Sequence, residues 1–189
     1  MPRTKSIREI LATGCRSSKD CVLQVVELVG AEPRKLPQLV ECLWAADPFV
    51  AAGAADALER LTRHRSSRME QWKEPLLGLL LEAKEKRLRW NLALTVPRMK
   101  LTVSQCRRAA AALESYLDDQ SSIVKTSALH GLADLASQNP ETLSSVVDRL
   151  RLAERTGTPA MRARSRILLL KLEKPRRPRE PHPSLHMFT

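Results

Sequence analysis

Asp47-Pro48-Phe49-Val50-Ala51-Ala52-Gly53-Ala54-Ala55-Asp56-Ala57-Leu58 is the stretch that decides how the rest of the chain reads. Aspartate is a good helix N-cap and proline is tolerated at the first helical position, so Asp47-Pro48 opens a helix for a physical reason. The alanines favour helix and let it approach its neighbours closely. On a helical wheel Val50, Ala54, Ala57, Leu58 and Leu61 fall within about 100° of one another, which makes them one buried seam.

Working outward, the same register returns every 36 to 38 residues. Val50, Leu88, Val124 and Met161 open equivalent apolar runs. Eight residues on stand Leu58, Val96, Leu132 and Leu169, and eleven on stand Leu61, Met99, Leu135 and Leu172. Eleven residues before each anchor stands a leucine: Leu39, Leu77, Leu113 and Leu150. A shortened first copy places Cys21, Val25 and Val29 at the anchor, fourth and eighth positions, as a terminal cap often does. This periodicity predicts an all-α stack of about five helical hairpins, none able to bury its apolar face alone. Such stacks usually bind partners rather than transform substrates.

The expected hairpins follow from caps and breakers. The first pairs residues 5–11 with a helix from Cys21, ended near Gly30. The second begins at Pro33 and runs through Leu36 to Trp44 before the Asp47-Pro48 restart. The third covers 68–81 and 85–99, with Pro97 stopping or kinking its last turn. The fourth covers 104–117 and 122–137, the fifth 140–155 and 161–174. Residues 1–174 thus read as one repeat domain. Residues 175–189 hold four prolines in fifteen positions and read as a disordered Pro/Arg-rich tail.

Composition narrows the class. The polar, mixed-charge first ten residues do not resemble a secretory leader, and no apolar run approaches the roughly 20 residues of a membrane span. A cytoplasmic monomer with reduced thiols at Cys15, Cys21, Cys42 and Cys106 is the expectation, with no membrane contact. The four histidines are scattered without metal-ligand spacing, so no metal or other cofactor is expected. The formal net charge of +11 is unevenly placed: −1 over 1–59, +9 over 60–108, −5 over 109–148 and +8 over 149–189. Two basic blocks flanking an acidic one point to anionic partners.

Asp47-Pro48-Phe49-Val50 leading to Ala54 and Leu58, and Ile123-Val124-Lys125 leading to Ala128 and Leu132, resemble the second helix of HEAT repeats. Leu88-Arg89 and Met161-Arg162 echo the Val-Arg pair that those repeats favour, whereas Ala51 and Thr158 depart from the pattern. The resemblance covers about residues 5–174. It implies a right-handed α-solenoid of the armadillo type whose second helices line a concave binding face. Enzymes of similar build offer no match: the histidines lack the His-Glu pairs of deoxyhypusine hydroxylases, and aromatic residues are too few for the cleft of HEAT-like DNA glycosylases. No Ser/His/Asp, Cys/His or Gly-rich phosphate motif is present.

The wheel places the first and fifth positions after each anchor beside the seam. The candidate binding ladder across the concave face is therefore Arg89, Lys125, Arg162 and Arg166, with Arg87 and Trp90 alongside. The expected role is a non-catalytic scaffold for protein–protein interaction, holding a partner with an acidic or extended segment. Nucleic-acid binding by the ladder and the turn arginines Arg60, Arg63, Arg65 and Arg68 is the second reading, and a base-excision enzyme a distant third.

Overall fold

Most helices start within about two residues of the expected positions, but the helix expected from 68 begins as a 3-10 run, Ser66–Trp72, and is α-helical only from Lys73. The computed structural model describes residues 5–14 and 20–173. Its α-helices among these residues are α1 (Ile7–Gly14), α2 (Asp20–Ala31), α3 (Leu36–Glu41), α4 (Pro48–Arg65), α5 (Lys73–Glu82), α6 (Lys86–Thr95), α7 (Val103–Tyr116), α8 (Ser122–Gln138), α9 (Leu143–Thr156) and α10 (Pro159–Glu173). Among the described residues there is no strand. The tail of 175–189, the side chain of Arg65 and Cys15 lie outside them.

Local chemistry sets the boundaries. Asp47 Oδ1 accepts from the Phe49 N–H at 2.9 Å, and the Glu85 carboxylate accepts from the Leu88 N–H at 2.8 Å. Thr102 and Gln105 form a reciprocal capping box, a device that the apolar register does not reveal. Pro33 and Pro140 open short 3-10 turns before α3 and α9. Pro97 cannot continue the α6 hydrogen-bond ladder, so the chain leaves the helix through the 3-10 turn Val96–Arg98.

Each odd-numbered helix packs on the even-numbered helix that follows it, and α2, α4, α6, α8 and α10 pack each on the next in chain order. The predicted seam is where the core lies. Leu39, Leu77, Leu113 and Leu150 are all fully buried, as are Leu58, Val96 and Leu132, with Leu169 nearly so. The alanines of α4 are buried throughout, which lets that helix sit among α1, α2, α3 and α6. Gly131 marks a close approach of α8 to α6: a Cβ there would stand 2.4 Å from the Ala93 carbonyl oxygen.

Side-chain links recur at the same one-repeat spacing. Arg98 joins the turn after α6 to Glu59 of α4, Lys171 joins α10 to Asp134 of α8, Arg108 joins α7 to Glu74 of α5, and Arg149 joins α9 to Glu114 of α7. The thiols differ in part from expectation. Cys42 and Cys106 are free and buried, but Cys21 is disulfide-bonded. The expectation of reduced thiols rested on the polar first ten residues and the lack of C-x-x-C spacing, and neither constrains which sulfurs meet in space. No helix among the described residues is long and apolar enough to cross a membrane.

Candidate functional site

The even-numbered helices present two flanks beside their seams, and the flanks differ in fate. The fifth and ninth positions after each anchor face the next even helix. Ala55, Ala93 and Leu129, and likewise Glu59, Pro97 and Ala133, are buried where another hairpin follows. For the copy in α10 no further hairpin is present among the described residues; there Arg166 is exposed and Leu170 is 63% exposed. Arg166 pairs there with Glu154 of α9 at 3.2 Å, and Arg162 beside it is also exposed.

The first position after the anchor tucks between its own hairpin and the next. Arg89 is half-buried, pairs with Asp119 in the turn before α8, and stacks its guanidinium 4.1 Å from the centroid of the Tyr116 ring. Tyr116 in turn donates its hydroxyl to the Leu80 carbonyl at 2.5 Å. Arg89 therefore ties two hairpins together. Trp90 packs against the core, and Arg87 and Lys125 are half-buried on the first turns of α6 and α8. The six ladder residues lie toward the N-terminal ends of the even helices or at the uncovered end of α10.

The other flank carries a cleft of about 520 Å³. It crosses the C-terminal halves of α4, α8 and α10 and the turn after α6, and none of the six ladder residues lines it. Arg63, Arg98, Lys100 and Lys171 supply four cations, set against Asp134 in the lining and Glu59 beneath it, leaving two positive charges in excess. His130, Thr62, Pro97 and Gln138 complete the wall.

Glu59 is the structural hub. Its carboxylate is buried and takes two guanidiniums, Arg63 at 2.7 Å and Arg98 at 2.8 Å, while Arg98 also donates to the Glu59 carbonyl at 3.1 Å. Burial alone would raise the Glu59 pKa. The two arginines outweigh burial and hold the carboxyl below its ordinary value of 4.5. His130 moves the other way from a paired histidine. Burial holds it below 6.5 against the pull of Asp134, and Arg164, Lys171 and Arg98 add to the lowering. The imidazole is thus neutral near pH 7, and Asp134 is left to Lys171 at 2.9 Å. Gln138 donates to the Pro97 carbonyl at 2.5 Å, which satisfies the end of α6.

Three of the lining residues, Arg98, Asp134 and Lys171, share one register position of mixed residue type, and Arg60 at the same position lines a neighbouring cavity. The tenth position after each anchor holds Arg60, Arg98, Asp134 and Lys171, on the opposite side of the seam from the first and fifth. The aromatic residues Trp44 and Phe49 are exposed, but they sit at the turn between α3 and α4 and do not line the cleft. Burial pushes the thiols of Cys42 and Cys106 up, so both stay protonated at neutral pH. Among the described residues no three His, Cys, Asp or Glu side chains gather as a metal site.

The fold and cleft define an all-helical protein with a basic groove laid across successive packed helices. No family model matches the sequence, and no curated protein is significantly similar to it.

Proposed function

We propose that the chain is a HEAT-like α-solenoid acting as a non-catalytic scaffold, and that it holds an acidic, extended segment of a partner protein along its concave face. The packing of even helices in chain order and the one-repeat spacing of the ion pairs support the solenoid reading. On it, the concave face is the flank that carries the cleft, so the contacts move from the N-terminal ladder to Arg63, Arg98, Lys100 and Lys171. The observation that carries the function is that cleft: four cations with a modest excess of charge, contributed by α4, α10 and the segment after α6, with no Phe, Tyr or Trp side chain in the lining.

That lining favours carboxylates over nucleic acid. Single-stranded nucleic acid is commonly held by stacking bases on several aromatic side chains as well as by charge, and the half-buried His130 imidazole is the one aromatic ring in this lining. Arginine and lysine bind carboxylates by direct, charge-assisted hydrogen bonds.

Fluorescence anisotropy with a labelled Glu/Asp-rich twelve-residue peptide, a basic control peptide and labelled single-stranded and duplex DNA tests the reading. The acidic peptide should bind, and the double reversal Lys100→Glu/Lys171→Glu should weaken it at least about tenfold, as loss of two exposed contacts to carboxylate would. DNA binding that is tight at low salt, falls by orders of magnitude between 50 and 200 mM salt and exceeds peptide binding would replace this reading with the nucleic-acid one.

A further inference from the structure

We infer that the segment held in the basic cleft is anchored by one large apolar side chain placed one or two residues from its acidic run. This inference rests on the scaffold reading above and names the partner's chemistry more closely. Beside the cleft lies a second cavity of about 240 Å³, lined by Val26, Val29, Leu36, Leu61 and Met69 with Gly30 and Pro33. Its walls are mainly apolar, and Arg60 and Arg68 bring the only charge to them. An apolar cavity of roughly 150 Å³ accepts a benzene ring, so this one has room for a leucine, methionine or phenylalanine side chain.

The two cavities adjoin. Thr62 lines both. Arg60 belongs to the apolar cavity and Arg63 to the basic cleft, and these residues stand one turn apart near the end of α4. Residues three apart on a helix are about 5–6 Å from each other, and an extended peptide advances about 3.3 Å per residue. A side chain seated among Val26, Leu61 and Met69 therefore leaves the next acidic residue or the one after it opposite Arg63. Arg60, paired with Asp56 at 3.2 Å, and the exposed Arg68 bias the mouth of the cavity toward a segment whose flanks are anionic. Apolar burial and charge pairing then act on adjacent residues of one ligand, which a purely electrostatic groove would not do.

Gly30 provides the test. It lines the apolar cavity, and a Cβ added there meets nothing within 4 Å, so a longer side chain can occupy the space without displacing the fold. Two labelled acidic peptides are titrated against the whole chain, identical except that one carries leucine and the other alanine beside the acidic run. The leucine peptide should bind at least about tenfold more tightly. Gly30→Met should erase that difference while leaving the alanine peptide's affinity unchanged, and Lys171→Glu should weaken both peptides. Val26→Met, which narrows the same cavity from a half-buried position, serves as the second plug, and a melting curve confirms that each variant is folded. Equal binding of the two peptides, still sensitive to Lys171→Glu, would overturn the anchor and leave the acidic-segment reading standing. No binding of either peptide would overturn both.

Discussion

Glu59 shows how much depends on one buried carboxylate. It is 2% exposed and faces two arginines of different burial: Arg98 is 18% exposed and Arg63 53%. Removing a buried partner leaves a charge uncompensated, whereas an exposed ion pair is screened by water. Arg98→Ala should therefore cost about 3 kcal/mol of stability in urea unfolding, with its lost bond to the Glu59 carbonyl included. Arg63→Ala should cost under ~1 kcal/mol. Equal losses at the two positions would show that burial does not rank them. The neighbouring His130 sets a pH dependence. Its folded pKa lies below the ordinary 6.5, so between those two values the unfolded chain holds the extra proton. Acid then favours unfolding: stability is fully present above pH 6.5 and declines as the pH falls toward the lower folded value. Asp134, Arg164, Lys171 and Arg98 all bear on this imidazole. Urea midpoints measured from pH 7.5 to 5.5 should fall with acid in the parent chain and fall less in His130→Gln. Below pH 4.5, protonation of Glu59 removes a further contribution, because its folded value is the depressed one.

Among the helices, glycine has two unrelated roles, and a matched pair of substitutions separates them. Gly131 is where α8 meets α6: a methyl group would press on the Ala93 carbonyl at 2.4 Å, Leu113 at 2.9 Å and Pro97 at 3.1 Å. Backbone cannot move aside as a flexible side-chain end can, so Gly131→Ala should destabilise by about 1–3 kcal/mol despite alanine's better helix propensity. Gly78, inside α5, has nothing within 4 Å of its absent Cβ. Gly78→Ala should stabilise by about 0.5–1 kcal/mol. Thermal unfolding of the two variants should shift in opposite directions, and a shift of the same sign would contradict the packing of α6 on α8. The helix positions themselves were legible because the apolar register and the proline and aspartate signals act locally. The Thr102–Gln105 capping box has its own sequence signature, Ser/Thr-x-x-Glu/Gln, separate from the apolar register, whereas the demand for glycine at 131 was not legible, since a lone glycine carries no mark of what lies across the interface.

Across the whole molecule, charge was less legible than apolar periodicity. The basic blocks of the sequence do not reveal which cations meet a carboxylate one repeat away, as Arg98 meets Glu59 and Lys171 meets Asp134. The row at the tenth position also changes sign, from Arg98 to Asp134 and back to Lys171, so it has no residue-type signature. Its meaning depends on the order in which the even helices pack. That order also implies graded stability. α8 is covered by α6, α7, α9 and α10, whereas α10 packs on α8 and α9 and leaves Leu170 and Ile167 to solvent. The ion pairs that bind α10 back to α9, Arg166 with Glu154 and Arg151 with Glu173, are both solvent-exposed and add little. In the proposed solenoid, whose units touch only their neighbours, the last described unit, covered on one side, opens at the lowest free energy. Native-state hydrogen exchange should therefore show the Leu168 and Leu169 amides of α10 opening well below the free energy that protects Leu129 and Leu132 of α8. Leu169→Ala, which removes a nearly buried side chain at this end, should accelerate exchange in α9 and α10 while leaving α4 and α6 as they were. If all these amides instead opened together at the global unfolding free energy, the helices would form one cooperative unit, and the acidic segment proposed as the ligand would meet a rigid surface rather than one that loosens toward α10.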